Sequence, residues 1–180
     1  PSLKIINNPK KTQASAINLG LKTARNKICL RIDSHSMILN DSKIYENISE
    51  IINILKNRKD ICAIGFKQRF AFKNVIQASL FLLSFTPILS STRLYRYALW
   101  KCRTYKTAWL FALNKNLAYK VKGFDERCNA NEDYDFNQKI IKYENKPILI
   151  FPNLYIYYFP RASIKTLFSQ YVNYGKGRVN

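Results

Sequence analysis

Two acid-bearing stretches hold most of the chemistry this sequence can offer. The first is Asp33-Ser34-His35. Residues two apart in an extended chain point the same way, so Asp33 and His35 can converge on one ion. A carboxylate oxygen and an imidazole nitrogen suit Mn²⁺ and are less typical of Mg²⁺. An ion held there would neutralise charge on a departing diphosphate. The alternative is that Asp33 caps a turn and His35 is an ordinary surface residue. The second stretch is Glu132-Asp133-Tyr134-Asp135. Carboxylates at a helix N-terminus are stabilised by the free N–H groups and the dipole, so capping alone explains them. The same position keeps Asp133 ionised, as a general base for an attacking hydroxyl must be.

A third group lies near the C-terminal end: Arg161, Gln170, Tyr174, Lys176 and Arg178. Gln170 and Tyr174, four apart, share a helix face. With the nearby cations they can hold phosphate or an acceptor sugar, or they form an exposed basic helix end.

Elements that could position these residues follow from the apolar spacing. Residues 3–6 read as a strand closed by a turn at Asn7-Asn8-Pro9. Thr12 can cap a helix whose face is Ala14, Ile17, Leu21 and Ala24. Residues 27–33 alternate as a strand that ends at Asp33. Asp41 or Ser42 opens a helix striped by Ile44, Ile48, Ile51, Ile52 and Leu55. Residues 61–66 and 108–113 read as strands, and Gly123 to Glu126 as a turn. The acid-rich helix buries Phe136, Ile140 and Ile141 and is broken by Pro147. Residues 148–158 are strand-like, interrupted by Pro152. A last amphipathic helix carries Ile164, Leu167, Phe168, Tyr171 and Val172 and should end near Gly175.

Strand, helix, strand, helix, strand is an α/β order and predicts a mostly parallel sheet flanked by helices. Ligands then bind beyond the C-terminal ends of strands, where Asp33 and His35 fall. Residues 74–92 carry no formal charge but include Gln77, Pro87 and several hydroxyls. An amphipathic, interfacial or buried helix suits them better than a membrane span. Residues 93–106 mix arginine and lysine with tyrosine and tryptophan, which fits a lipid headgroup interface, a phosphate- or sugar-binding surface, single-stranded nucleic acid or a solvated basic loop. Residues 74–106 are therefore set apart as an interfacial or acceptor-side insertion in one domain spanning 1–180.

The 180 residues carry a net charge of +19, which demands an acidic neighbour without choosing among nucleic acid, anionic lipid and phosphorylated substrates. Hydrophobic residues at 47% rule out wholesale disorder. Cys29, Cys62, Cys102 and Cys128 form no CxxC pair and read as reduced thiols in a cytosolic protein.

Four stretches, in order, give the chain a likeness. They are Asn8-Pro9-Lys10-Lys11 leading into Ala16-Ile17-Asn18-Leu19-Gly20; Arg31-Ile32-Asp33-Ser34-His35; Gly123-Phe124-Asp125-Glu126-Arg127 followed by Asn131 to Asn137; and Tyr158-Phe159-Pro160-Arg161 running to Gln170 and Tyr174-Gly175. The chain resembles family 2 glycosyltransferases of the GT-A fold, closest to the succinoglycan-biosynthesis type. The resemblance implies inverting transfer from a nucleotide-diphospho-sugar to a saccharide or polyprenyl-linked acceptor. It implies Asp133 as base, and Asp33 with His35 at a divalent metal, Mn²⁺ or Mg²⁺, and the diphosphate. It also places Asn18, Glu132, Arg161, Gln170 and Tyr174 on the substrate side. The family's common QxxRW form is absent around Gln170. Work at the cytoplasmic, inner face of an anionic membrane follows, with no nucleic acid as partner. Such enzymes begin with further elements before the one matching residues 3–6, so an N-terminally incomplete domain that binds sugar nucleotide poorly by itself is expected. The rival readings are a basic nucleic-acid-binding module, which lacks the spacing of zinc ligands or an RNP motif, and a non-catalytic membrane-docking relative.

Overall fold

A computed structural model describes residues 3–38, 42–83, 103–106, 108–109, 111–128 and 131–179. The side chains of residues 103–105, 152, 174 and 176–179 are outside that description, as are Asp41 and all of the 84–102 stretch of the proposed insertion, Cys102 included.

The described chain runs α1 (Gln13–Thr23), β1 (Ile28–Leu30), β2 (Ser36–Ile38), α2 (Ile44–Asn57), β3 (Ala63–Phe70), α3 (Val75–Leu83), β4 (Arg103–Tyr105), β5 (Phe111–Asn114), α4 (Lys115–Lys120), α5 (Glu132–Glu144), β6 (Ile148–Tyr158) and α6 (Ile164–Val179). The strands form one six-stranded sheet in the order β1-β5-β3-β6-β2, with β4 pairing β6 off that path. The α/β class holds, and the pairing is mixed. Only β3 and β6 are parallel neighbours; β1–β5, β3–β5, β2–β6 and β4–β6 are antiparallel. The strands that directly follow α1, α2 and α5 share one direction, as helical crossovers require. β5 enters against them, between β1 and β3.

Alternation along the central strands splits the core into two layers. Ala63, Phe111, Leu113, Ile148 and Ile150 pack with Ala14, Leu21, Leu117, Phe124, Phe136 and Ile140 on the face covered by α1, α4 and α5. Ile64, Phe66, Ala112, Leu149 and Phe151 pack with Ile51 of α2 on the other. That is why β3 is an unbroken buried run from Ala63 to Gln68. Phe124 and Phe136 stack with centroids 4.0 Å apart, and Phe111 lies 5.6 Å from Phe136.

β6 organises the far side of the sheet. Its residues Ile148 to Phe151 pair with Ala63 to Phe66; the register then slips, and Lys67 pairs with Tyr155. The three residues left between, Pro152 to Leu154, absorb the proline that cannot donate to the ladder. The first part of β6 also pairs β4 and the last part pairs β2.

Several expectations need correction. Residues 3–6 form no strand: no described strand pairs with them, and Leu3 and Ile5 are about nine-tenths exposed. The strand expected over 27–33 stops at Leu30, because the chain leaves the ladder where Arg31 and Asp33 turn to pair with each other. β2 and α4 have too few apolar positions to announce themselves. The last helix does not end at Gly175 but continues to Val179, since glycine lowers helix propensity without forbidding a helix. Most of its expected core face is exposed: Ile164, Phe168, Tyr171 and Val172 reach solvent, while Leu167 is half-buried. Within the uncharged stretch, α3 is the described helix, and no described helix is long and apolar enough to cross a membrane. Cys29, Cys62 and Cys128 are free thiols, and burial pushes Cys62 up to about 12.

Gly65 shows how tight the first layer is. A Cβ there would lie 2.5 Å from the Ala108 Cβ and 2.7 Å from the Ile150 Cδ1. Gly65→Ala is expected to lower stability by about 1–3 kcal/mol through overpacking, read as a shifted urea midpoint with an unchanged slope.

Candidate functional site

The loop after β1 and the start of α5 meet at Arg31. Its Nε donates to Asp33 Oδ1 at 2.9 Å and its Nη2 to Asp33 Oδ2 at 3.1 Å, a two-pronged grip. The same Nη2 reaches Glu132 Oε1 at 3.5 Å. All three side chains are close to nine-tenths buried. The guanidinium lies 5.7 Å from the Phe111 ring centroid and 5.6 Å from that of Phe124, so cation–π contact and low dielectric strengthen the grip. Its Nη1 is buried with no hydrogen-bond partner. Gln13, in the first turn of α1, donates to Asp33 Oδ2 at 3.1 Å.

Local sequence explains why these pieces arrive together. Thr12 caps α1 by accepting from the Ser15 N–H, and Asn8 ties the preceding turn through Thr12 and Ser15. That fixes Gln13 against the Asp33 loop. Gly123 takes φ +69°, and a Cβ there would collide with Asn18 Oδ1 at 2.6 Å; only glycine meets both demands. The turn that follows is clamped by Asn18, which accepts from the Phe124 N–H and donates to Phe124 O and Glu126 Oε1. Lys10 binds the other oxygen of Glu126 at 2.6 Å. Asn131 then adopts left-handed φ of 63° before α5 begins, a conformation asparagine tolerates better than most. Buried Phe136 and Ile140, and a hydrogen bond from buried Asn137 to the Ala108 carbonyl, set the rotation of α5.

His35 is half-buried, with ring centroids 5.3 Å from Trp109 and 5.2 Å from Tyr158. Its backbone carbonyl accepts from the Phe159 N–H at 3.1 Å. Burial pushes its pKa below the usual 6.5; Asp33 opposes that, and Arg161 and Arg31 reinforce it. The imidazole is thus neutral at pH 7, the form that ligates metals. Burial raises the Glu132 carboxyl, helped by Asp133 and resisted by Arg31. Asp133 is partly buried, next to Glu132, and its Oδ1 accepts from the Tyr134 N–H at 2.8 Å.

Asp33, His35, Glu132 and Asp133 therefore belong to one region. Arg161 is exposed and within electrostatic range of His35. Gln170 is partly buried on α6, and the Tyr174 side chain falls outside the described residues. Asn18 uses both ends of its amide on the turn, so its present task is to hold that turn. Sequence reasoning missed roles for Arg31, Gln13 and Trp109. Arg31 carried a signal: it stands two residues before Asp33, hence on the same face of an extended chain. Gln13 and Trp109 carried none.

The two side chains expected to hold a divalent ion, the Asp33 carboxylate and the neutral His35 imidazole, lie within electrostatic range of each other. No group of three or more His, Cys, Asp and Glu that could hold a metal occurs among the described residues. The pair fits an oxygen-rich, Mn²⁺-type ion that takes its other ligands from phosphate and water. Asp33 accepts three hydrogen bonds from Arg31 and Gln13, which leaves roughly one of its four lone-pair sites. A shallow cavity of about 540 Å³ opens beside the Asn18 clamp, lined by Asn18, Leu21, Lys22, Tyr119, Lys122 and Gly123.

No family model matches the sequence, and no curated protein does. Solved structures do match. GalNAc-T7 with UDP, GalNAc and Mn²⁺ aligns with TM-score 0.55 at 14% identity, over 86% of this chain and 32% of its own. S. aureus TarS 1-349 gives 0.55 at 14%, over 86% and 42%; S. aureus TarS gives 0.53 at 16%, over 86% and 25%. The fold is that of GT-A glycosyltransferases. The chain spans a quarter to about two fifths of these neighbours' lengths.

Arg31→Met should cost about 3–5 kcal/mol, because it leaves two carboxylates buried without their counter-charge; Arg31→Lys, which keeps the charge and loses the fork, should cost less. Urea unfolding of both variants checks the order. Glu132 titrates higher in the folded chain than its ordinary 4.5. Its stabilising share is therefore complete below pH 4.5 and is lost as pH rises through the raised value. His35 acts oppositely, its share being complete above about 6.5 and lost below. The stability difference between the wild-type protein and Glu132→Gln isolates the Glu132 share and should change in that direction across pH 4.5–7.

Proposed function

We propose that this chain is the diphosphate- and acceptor-side part of a glycosyltransferase of the family 2, succinoglycan-biosynthesis kind. It would transfer a sugar from a nucleotide-diphospho-sugar to a saccharide or lipid-linked acceptor with inversion. The observation that carries the reading is the Arg31 bridge. It holds the Asp33–His35 loop against the start of α5, so a donor-side group and the proposed base share one wall of a GT-A-like fold.

The roles follow from position. Asp133 takes the proton of an acceptor hydroxyl. The freed oxygen bonds to the anomeric carbon as the bond from that carbon to the diphosphate oxygen breaks, which inverts the centre. Helix-end N–H groups favour an ionised carboxylate at this position. Arg31 fixes the direction of Asp33, and Trp109 and Tyr158 hold the His35 ring. Asp33 and His35 would hold a divalent metal, which would offset the charge of the leaving diphosphate. GalNAc-T7 with UDP and Mn²⁺ supports that expectation at the level of the fold only. Arg161, exposed near His35, suits a phosphate oxygen, and Gln170 suits the acceptor. The excess of positive charge is compatible with phosphorylated donors and with work at the inner face of the cytoplasmic membrane.

Asp133→Asn in the full-length protein is expected to lower the turnover number at least about a hundredfold, measured as nucleoside diphosphate released from a sugar nucleotide. Binding of polyanions and the unfolding midpoint should stay unchanged. A variant with undiminished turnover would remove Asp133 from the mechanism; a basic nucleic-acid-binding module would show no turnover in either protein.

A further inference from the structure

One edge of the apolar face of α6, running through Ile164 and Phe168, is exposed in the described fold, while Leu167 beside it is half-buried. Ile164 is 71% exposed and Phe168 70% exposed, and Val172 follows on the same stripe, four residues further on. A second apolar group leaves from the same corner. Phe72 and Val75 are exposed, the latter at 80%, at the approach to α3. The two helix starts are stitched together: Asn74 Nδ2 donates to the Ala162 carbonyl at 2.9 Å, and buried Gln77 Nε2 to the Pro160 carbonyl at 2.6 Å. Lys73, Arg161 and Lys165 are exposed cations within three residues of Phe72, Val75 or Ile164 in the sequence. No Asp or Glu occurs anywhere in residues 61–124 or 145–180, so all eleven acids belong to other segments.

We infer that this corner, the start of α3 with the exposed face of α6, docks on an anionic phospholipid bilayer. The reading deepens the proposed function, on which its link to a lipid-linked acceptor rests. The chemistry selects a bilayer over other polyanions. Aliphatic Ile164, Val172 and Val75 gain nothing from nucleic acid, whose contacts are ionic and stacking. A bilayer interface offers acyl chains for the apolar side chains and phosphate headgroups for the lysines in one surface. The geometry also has a consequence for the site. Arg161 opens the approach to α6 two residues after Phe159, whose N–H donates to the His35 carbonyl at 3.1 Å, so docking here brings the His35 side of the site to the membrane surface.

The test is sedimentation with vesicles. The full chain should bind vesicles of mixed phosphatidylglycerol and phosphatidylcholine and bind phosphatidylcholine vesicles far more weakly. Ile164→Ser/Phe168→Ser should reduce binding at least about tenfold. Lys73→Gln/Lys165→Gln should reduce it roughly fivefold per charge and weaken its salt dependence. All four side chains are exposed, so a circular dichroism spectrum matching the wild type is expected. Asp133→Asn should bind vesicles like the wild type, which separates loss of docking from loss of transfer. Binding unaffected by both double variants would overturn the inference. So would a self-associating chain whose dimer, rather than its vesicle binding, is lost in Ile164→Ser/Phe168→Ser.

Discussion

A guanidinium buried among aromatic rings is the constraint on which this structure turns. Arg31 is expensive to desolvate, and it is tolerated because Asp33 meets it with two oxygens and Glu132 with a third. Replacing such a group by a well-packed apolar one is often neutral for stability, so stability alone does not explain it. What the ion cluster supplies is position. It fixes the direction of a carboxylate in a loop that has just left its strand, and it ties that loop to a helix start about a hundred residues later in the chain. Its unpartnered Nη1 marks the cost of that arrangement.

The fold exists to hold the two pieces within reach of Arg31. β5 brings Phe111 beneath the guanidinium, the Gly123–Glu126 turn brings Phe124, and Phe136 carries α5 onto the same stack. The clamp from Asn18 and Lys10 onto Glu126 and Phe124 joins α1 to that turn. The half of the molecule around Arg31 is thus tightly determined and carries acids. The half built by α3 and α6 has no acids and leaves apolar side chains in solvent. The proposed catalytic wall beside the proposed docking corner makes a coherent division, because an acceptor anchored in lipid would have to be met at the surface of that lipid.

The elements legible from spacing are those whose apolar residues face one core. The α1, α2 and α5 stripes and the β3 run are of this kind, since burial imposes the period of 3.6 or the unbroken run directly. The readings that differed had no partner to enforce them. Residues 3–6 have strand-like composition, and no described strand pairs with them. The α6 stripe has the spacing of a core helix, yet among the described residues Ile164 and Phe168 are left mostly exposed and only Leu167 is half-buried. Spacing records which side chains share a face; it carries no information on whether anything meets that face. At the site, Asp33, His35, Glu132 and Asp133 could be singled out by type. The same reasoning could not see that Gln13 reaches Asp33 or that Trp109 backs His35, because those contacts join distant segments.

By itself the sequence determined an α/β chain with a strong positive charge, two acid-bearing stretches and the four motifs of its glycosyltransferase likeness, all properties of residue type and local order. Only the tertiary structure decided that the sheet is mixed, that Asp33 is gripped by Arg31, and that the last helix keeps its apolar face outside. Each of these depends on the free energy of contacts between segments far apart in the chain, where desolvation and geometry, rather than composition, choose the partner.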